Sequence, residues 1–309
     1  MACVGHASLD LVFEVDALPS AASGKTLARR HARRAGGMSL HAAIAAARLG
    51  ASVRMIGRVG DDESAAFLRA RLAAEGVEAR GLESVRGAST SCASVIVDAR
   101  GERQIVVHRG NALERAHPLD TRLLEGADVV LVDPRWPEGA AAALAWAGSR
   151  RITSVLDADV APREVLERLV PLARWVAFSQ PGLAVWKGRT TDAGNCEDAL
   201  AAVLRQYPGP AAALVTLGEA GACWVERGRP PAHCAAPRVK ALDTTGAGDV
   251  FHAALAVALT EGCAAHDAVA WACAAAAFKC ERGFGADGAP MRRELRAWLR
   301  QRQRLPRAR

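Results

Sequence analysis

Short apolar runs alternate with longer helical runs along most of this chain. Four of the short runs are almost continuously apolar and end at a polar residue or a glycine: residues 128–133, 152–159, 175–179 and 212–218. Continuous apolar strands are typical of sheets covered on both faces, and alternation with helices is typical of parallel sheets. Helices are predicted over residues 41–51 and 61–76. The pattern therefore predicts an α/β fold whose mostly parallel central sheet is covered by helices.

Two segments interrupt this alternation. Residues 11–35 and 89–109 alternate apolar and polar residues, and the second contains a D-A-R-G turn at its middle. Such alternation gives a strand one apolar and one solvated face, and the turn predicts a hairpin. We therefore expect a small β-sheet that projects from the core of a single domain spanning residues 1–309.

The net charge of +7 lies in the C-terminal tail. Residues 291–309 contain eight Arg and one Glu, whereas the other 290 residues contain 32 basic and 32 acidic side chains. A neutral body argues against a nucleic-acid surface spread over the fold, and the tail is expected to be a solvated helix with a loose end. The N-terminus resembles a strand rather than a leader, and every apolar run is too short for a membrane helix. We expect a cytoplasmic protein without nucleic-acid or membrane partners.

The stretch DTTGAGDVFHAAL, residues 243–255, joins a loop with few side chains to the start of a predicted helix. Gly246, Ala247 and Gly248 leave their backbone N–H groups uncovered there, and such groups bind anions. The carboxylate of Asp249 would repel a phosphate bound at these N–H groups unless the carboxylate contacted a group that carries a proton. This is the arrangement of a base that deprotonates an attacking hydroxyl beside a held phosphoryl group. The alternative interpretation is a capped helix with an acidic first turn.

Two separated signatures make the chain similar to the ribokinase-like (PfkB) carbohydrate kinases. The signature D-T-x-G-A-G-D is complete at residues 243–249, and the N-terminal one is recognisable as GGMSLHAAIAAARLGASVRMIGRVGDD at residues 36–62. The resemblance implies a three-layer α/β sandwich with a β-sheet lid. It also implies transfer of a phosphoryl group from ATP, with Mg²⁺, to a sugar hydroxyl. Asp249 would be the base and residues 246–249 the anion hole.

The resemblance also implies binding residues, position by position. The sugar would contact Asp10, Gly36, Gly37 and His41, although many family members have Asn at the position of His41. The nucleotide would contact Ser179, Thr216, Gly218, Gly221, Gly248 and Ala276. A monovalent cation such as K⁺ is expected near Asp243 and Thr245, with a capped turn as the alternative role of Asp243.

One departure from the family concerns the metal. Many members carry Asn-x-x-Glu where this chain has SQPG, residues 179–182. The family pattern helps to organise metal and phosphates, so the contacts of Mg²⁺ at Ser179 and Gly182 are open. Water could substitute for them, because Mg²⁺ keeps several waters when it is bound.

The middle of the chain, together with SGKT at residues 23–26, is similar to the sulfofructose kinase branch of the family. The quoted stretches are VVLVDPRWPEG, residues 129–139, and the sequence at residues 154–183. This resemblance implies phosphorylation of the 1-hydroxyl of 6-deoxy-6-sulfofructose. Lys25 on the lid and Arg135 after a strand would converge on the sulfonate, helped by Arg109 or His108. For each basic residue taken alone, a solvated surface charge is the favoured interpretation.

Other functions stay open on the sequence alone. The substrate could instead be ribose, fructose, fructose phosphate, 2-keto-3-deoxygluconate or a nucleoside. A protein of a different class, a catalytically silent sugar- or nucleotide-binding regulator, could use the same fold. The lid sheet is also a plausible surface for a homodimer.

Overall fold

The computed structural model describes the chain apart from residues 21–23, 101, 112, 114–116, 189–195, 284 and 305–309, and apart from the side chains of residues 303 and 304. Its strands are β1 (Ala2–Gly5), β2 (Ser8–Glu14), β3 (Arg30–Gly36), β4 (Arg54–Gly60), β5 (Leu82–Val85), β6 (Ser91–Val97), β7 (Arg103–His108), β8 (Val129–Val132), β9 (Thr153–Ala158), β10 (Trp175–Ser179), β11 (Ala212–Thr216), β12 (Ala222–Glu226) and β13 (Ala232–Cys234). Its α-helices are α1 (Met38–Arg48), α2 (Glu63–Ala74), α3 (Pro137–Ser149), α4 (Arg163–Leu169), α5 (Gln180–Lys187), α6 (Cys196–Gln206), α7 (Ala247–Thr260), α8 (Ala265–Arg282) and α9 (Arg292–Arg304).

Strands β13-β12-β11-β10-β9-β8-β1-β4-β5, in that order, form the central sheet. It is parallel from β11 to β5, and β12 and β13 extend it in antiparallel fashion. The four predicted apolar runs are β8, β9, β10 and β11, side by side. Because parallel strands end at the same edge, the loops after β8, β9 and β10 meet there, where ligands bind in open α/β sheets.

Helices cover both faces of this sheet. Side chains of α1, α2, α7, α8 and α9 form one buried cluster, and those of α3, α4, α5 and α6 form the other. Successive strand residues alternate between the clusters: Leu131 packs in the first, whereas Val130 and Val132 pack in the second. The predicted three-layer architecture is confirmed.

A second sheet, in the order β3-β2-β6-β7, forms the predicted lid. Strands β2 and β3 are antiparallel, β2 and β6 are parallel, and β6 and β7 are antiparallel. The lid begins earlier than expected: the first strand ends at Gly5, and β2 starts at Ser8. Asp10 therefore lies on the lid and pairs in register with Arg34 of β3.

Helix boundaries follow local capping. The helix predicted over residues 61–76 runs from Glu63 to Ala74, because the Asp62 carboxylate accepts a hydrogen bond from the Ala65 N–H at 2.9 Å. The helix predicted over residues 41–51 starts three residues earlier, at Met38, and ends at Arg48.

The basic tail is helical and contacts the body of the protein. Arg292 of α9 pairs with Glu261, and Arg302 pairs with Glu281 at 2.8 Å while its guanidinium carbon lies 4.1 Å from the Trp298 ring centroid. These contacts support the expectation of a surface helix. Among the described residues, no helix is both long and apolar enough to span a bilayer.

Candidate active site

The N-terminus of α7 carries the predicted anion hole. Gly246 adopts the left-handed conformation, with φ 74° and ψ 9°, which favours glycine. The N–H of Ala247 donates to the carbonyl of Thr244 at 3.1 Å and so closes the turn rather than pointing at a ligand. The N–H groups of Gly248 and Asp249 belong to the first turn, where a helix offers no internal acceptor. The donors available to an anion are therefore those of Gly248 and Asp249.

Asp249 is held by a histidine. Its Oδ2 lies 2.9 Å from Nδ1 of His41, and Nε2 of that ring lies 3.0 Å from the carbonyl oxygen of Ala35. Both partners are acceptors when Asp249 is ionised, so the doubly protonated ring satisfies both contacts. Burial lowers the pKa of His41, but the hydrogen bond and charge of Asp249, with the charge of Asp10, raise it overall. Below this raised pKa, His41 is an imidazolium partner of the predicted base.

The predicted sugar side of the site is a cavity of about 690 Å³ between the lid and the loop before α7. Asp10 and His41 both line it. Burial raises the pKa of Asp10, and the charge of Asp249 raises it further, whereas the charge of His41 lowers it. Asp10 and His41 therefore face one space, and Asp249 adjoins it through its contact with His41.

The two predicted glycines make room for protein groups. A Cβ at Gly36 would lie 2.3 Å from the Asp10 carboxylate, and a Cβ at Gly37 would lie 2.5 Å from the carbonyl oxygen of His6. Gly37 also has φ +94°, a conformation that other residues rarely adopt. Gly36 therefore leaves room for the Asp10 carboxylate and Gly37 for the His6 backbone, and contact of these glycines with the sugar stays a prediction.

A second cavity of about 970 Å³ matches the predicted nucleotide site. Five of the six predicted nucleotide residues line it: Thr216, Gly218, Gly221, Gly248 and Ala276. Thr244 borders both cavities, so they meet at the loop that begins the anion hole. The volume is in the range of small-molecule sites in proteins.

The sixth residue, Ser179, has a different task. Its Oγ accepts a hydrogen bond from the Gly182 N–H at 3.0 Å and donates one to the Asp159 carboxylate at 2.7 Å. A Cβ at Gly182 would lie 2.1 Å from the carbonyl oxygen of Ala158, so no glutamate fits there. The family Asn-x-x-Glu pattern is thus replaced by a capped helix, and Asp159 supplies a carboxylate at this edge.

Asp159 belongs to a group of acids. Burial raises the pKa of Asp157 to about 6, and the charges of Asp249 and Asp159 add to that rise. His252 lies 2.9 Å from one Asp157 oxygen, and the other oxygen is buried without a hydrogen-bond partner among the described residues. Carboxylates are the ligands that Mg²⁺ prefers, so Asp159, the more exposed acid at this edge, is a donor available to the metal.

Asp133, which no sequence motif marks, is a buried hydrogen-bond acceptor directly after β8. Its carboxylate accepts hydrogen bonds from the N–H groups of His6 at 2.7 Å, Ser39 at 3.1 Å and Arg135 at 2.8 Å, and from the Ser39 hydroxyl at 2.6 Å. One aspartate thereby joins the ends of β1 and β8 to the start of α1. A single acid after an apolar run carries no signal of this role.

The basic residues expected at the sulfonate are separated in part. Arg135 lies 3.5 Å from Asp159, and its charge, with that of Arg109, acts on the buried His6 ring, whose pKa is lowered first by burial. Lys25 is exposed in the connection between β2 and β3, and neither cavity is lined by it. Arg135 and Arg109 therefore both act on His6, but, like Lys25, they line neither cavity.

The expected cation site near Asp243 and Thr245 contains two protein cations. The buried ammonium of Lys279 donates to the Asp243 carbonyl at 2.8 Å and lies 3.2 Å from Oδ2. The guanidinium of Arg103, from β7, lies 3.0 Å from Oδ1. These groups do not fit a further cation, because the negative charge that would hold it is already paired. The charges of Lys279 and Arg103, two residues with no motif signal, therefore weigh against the cation expected near Asp243 and Thr245.

The family model for pfkB family carbohydrate kinases matches residues 1–291. Ribokinase of Bacillus subtilis strain 168 is 31% identical over 303 residues, which cover 96% of this chain and 98% of that protein.

Solved structures agree with this match. A candidate ribokinase from Agrobacterium tumefaciens is 36% identical with a TM-score of 0.89, covering 99% of this chain and 98% of that one. Arabidopsis thaliana ribokinase, solved with ribose and ATP, is 25% identical with a TM-score of 0.83, covering 96% and 97%.

Proposed function

We propose a substrate for this chain, which belongs to the pfkB family of carbohydrate kinases and is therefore an ATP-dependent sugar kinase. The proposed reaction is phosphorylation of a primary hydroxyl of an anionic ketose. The preferred substrate is 6-deoxy-6-sulfofructose, phosphorylated at its 1-hydroxyl. The observation that carries the proposal is Asp249 in the first turn of α7. It is bonded at 2.9 Å to His41, which lines the sugar-side cavity, and it follows Gly248, which lines the nucleotide-side cavity.

Asp249 acts as the general base. It takes the proton of the sugar hydroxyl, while the N–H groups of Gly248 and Asp249 stabilise the charge on the transferring phosphoryl group. His41 orients the carboxylate through Nδ1 and is itself fixed by the Ala35 carbonyl. Asp10 accepts hydrogen bonds from the other sugar hydroxyls and so sets which hydroxyl faces the base.

Mg²⁺ would be held by the phosphates of ATP and by Asp159, with water in the remaining positions. Bound there, it neutralises charge that develops on the phosphates during transfer. Ser179 orients Asp159 through the 2.7 Å hydrogen bond, so the SQPG departure from the family pattern leaves a carboxylate available to the metal.

The preference for an anionic substrate rests on Arg135 and Arg109. Their charges act on the same buried His6 ring, which is hydrogen bonded to Ser91 at 2.9 Å at the base of the lid. The 3.5 Å contact with Asp159 leaves further guanidinium donors of Arg135 for a sulfonate, which accepts hydrogen bonds in a forked geometry. Lys25 would join only when the lid closes, because its segment is exposed.

A homodimer through the lid is part of the same proposal. Three consecutive apolar residues of β7 are exposed in the monomer: Ile105 at 50%, Val106 at 66% and Val107 at 56%. β7 is an edge strand, and exposed apolar edges pair with other chains unless they are covered. A second copy of the chain would cover this strand.

The test of the substrate is a panel of sugars assayed with the wild-type protein and with Arg135→Ala. A charge-assisted contact contributes about 1.5–3 kcal/mol, so the variant should lose on the order of 10- to 100-fold in kcat/KM with sulfofructose and little with fructose. Arg122→Ala, which removes an exposed guanidinium paired with Asp120, is the matched control. Equal losses with both sugars, or a wild-type preference for ribose, fructose or a nucleoside, would contradict the substrate and leave the kinase activity standing.

A further inference from the structure

Lys279 is a fully buried cation in α8, a helix whose other buried residues are all apolar. Its side chain has 0% exposure, and its neighbours on α8 include the buried residues Ala275, Ala277 and Phe278. Lysine is almost never fully buried unless it is paired, because the charge must leave water. Here the ammonium is aimed at one peptide unit, donating to the Asp243 carbonyl at 2.8 Å and contacting the carboxylate at 3.2 Å.

The Asp243 carboxylate is saturated from every side. Oδ1 accepts from the Thr245 N–H at 2.9 Å and the Thr245 hydroxyl at 2.7 Å, and it contacts Arg103 at 3.0 Å. Oδ2 accepts from the Gly285 N–H at 3.1 Å in addition to Lys279. One negative charge therefore faces two positive ones, and a metal ion placed beside it would meet net repulsion.

This arrangement is attached directly to the anion hole. Asp243 is followed by Thr244, whose carbonyl accepts the Ala247 N–H at 3.1 Å and whose hydroxyl accepts from Arg103 at 2.6 Å. Thr245 and Gly246 follow, and Gly246 is the N-cap of α7, which begins at Ala247. A group that fixes Asp243 therefore also fixes the start of the helix whose N–H groups face the phosphoryl group.

We propose that the Lys279 ammonium, assisted by Arg103 from the lid, takes the place of an activating monovalent cation, so that this kinase needs no K⁺. The inference rests on the proposed kinase site. An ammonium group carries the same charge as K⁺ and is similar in size, and it is tethered to α8, so it is present at every turnover. Lys279 is a positioning residue: it touches neither substrate nor nucleotide and acts through the loop at residues 243–246.

The test compares cations in the wild-type protein and in Lys279→Ala, at equal ionic strength in potassium, ammonium or tetramethylammonium chloride. The wild-type protein should show the same kcat and the same Tm in all three salts, within about twofold and 1–2 °C. In Lys279→Ala the removed stem leaves room for a small cation. Its kcat should fall at least about tenfold in tetramethylammonium and recover in K⁺ or NH₄⁺, with a rise in Tm, because a ligand that binds the folded state stabilises it.

Two further variants separate replacement of a cation from simple packing. Lys279→Met keeps the bulk of the side chain and removes the charge, so it should lose activity without recovery in any salt. Arg227→Ala removes a cation held by the carbonyls of Leu204, Tyr207 and Pro210 at the far edge of the sheet, and it should show no cation selectivity. If Lys279→Ala folds only in K⁺ or NH₄⁺, the yield of refolded protein in each salt supports the inference in the same way.

Strong activation of the wild-type protein by K⁺ would overturn the inference. So would a Lys279→Ala variant whose kcat and Tm are the same in all three salts, whether that variant is active or inactive. The Tm pattern needs no turnover. The Tm values therefore test whether Lys279 replaces a cation even if no sugar in the panel is phosphorylated. Absence of phosphorylation of every sugar would count against the proposed function alone.

Discussion

Nδ1 of His41 and Oδ2 of Asp249 are 2.9 Å apart, and both side chains are largely buried, with 5% and 13% exposure. The two residues are 208 positions apart in the sequence and meet where α1 passes the N-terminus of α7. This contact ties the base to a group that itself titrates. Many members of the family carry Asn at this position, so the pairing gives the present chain a pH dependence that an amide would not confer.

His41→Asn should remove one break from the pH profile of kcat. The pKa of His41 is raised, so the wild-type ring keeps both protons below that value, and loses one of its two hydrogen bonds as the pH rises through it. The asparagine amide does not titrate. We expect a break above pH 6.5 in the wild-type profile that is absent from the variant, measured as log kcat between pH 5 and pH 9.

The stability of the two proteins should follow the same sign. A group whose pKa is raised by folding stabilises the native state fully below its unfolded value, and this contribution disappears as the pH rises through the folded value. The stability difference between wild type and His41→Asn should therefore shrink from pH 6 to pH 9 in urea unfolding. Superimposable kcat profiles together with a constant stability difference would contradict a charged His41.

Gly248→Val should disable the anion hole in a folded protein. A Cβ at this position meets only the Cε1 atom of His252, at 4.0 Å, so the fold accommodates the change. The branched side chain would cover N–H donors that a phosphoryl group must reach, and loss of such donors costs about 10²-fold in kcat. Gly148→Val, on α3 with open space around the position, is the matched control for a valine in a helix. Unchanged ATP kinetics in folded Gly248→Val would exclude the anion-hole assignment.

Asp159→Asn should weaken the response to Mg²⁺. The amide still accepts the Ser179 hydrogen bond, so α5 keeps its cap, but the charge available to the metal is lost. We expect the Mg²⁺ concentration for half-maximal rate to rise by about tenfold, with the KM for the sugar little changed. Asp120→Asn, an exposed carboxylate remote from the site, serves as control. A Mg²⁺ titration identical to that of the wild type would remove Asp159 from the metal site.

Much of this site could be predicted from sequence, and the limits have physical causes. The D-T-x-G-A-G-D signature fixes Asp249 and the anion hole because a glycine loop, a helix start and an acid occupy consecutive positions. Lys279 and Arg103 could not be predicted, since each is one basic residue among many and becomes informative only through contact with Asp243, 36 and 140 positions away. The lid start at Ser8 was missed because β1 and β2 are separated by only two residues.

The contacts of Asp243 with Lys279, Thr245 and Gly285 should make the stability of the folded protein sensitive to acid. Burial alone would raise the pKa of Asp243, but the charge of Lys279 and the hydrogen bonds from Thr245 and Gly285 lower it to about 2, against an unfolded value of 3.8. A lowered pKa stabilises the native state above the unfolded value, and this stability is lost as the pH falls through the folded value. The contribution is about 2 kcal/mol. The stability difference between wild type and Asp243→Asn should shrink between pH 5 and pH 2 in urea unfolding, and a difference independent of pH would contradict the paired carboxylate.

The central claim is that Asp249 is the base that deprotonates the sugar hydroxyl. The most direct measurement is kcat of Asp249→Asn with the best sugar of the panel, alongside the Kd of ATP by calorimetry. The amide can still contact His41 but cannot accept the proton, so kcat should fall at least about 10²-fold while the Kd of ATP changes by less than about threefold. A variant that binds ATP normally and keeps a near wild-type kcat would show that another group, or none, acts as the base.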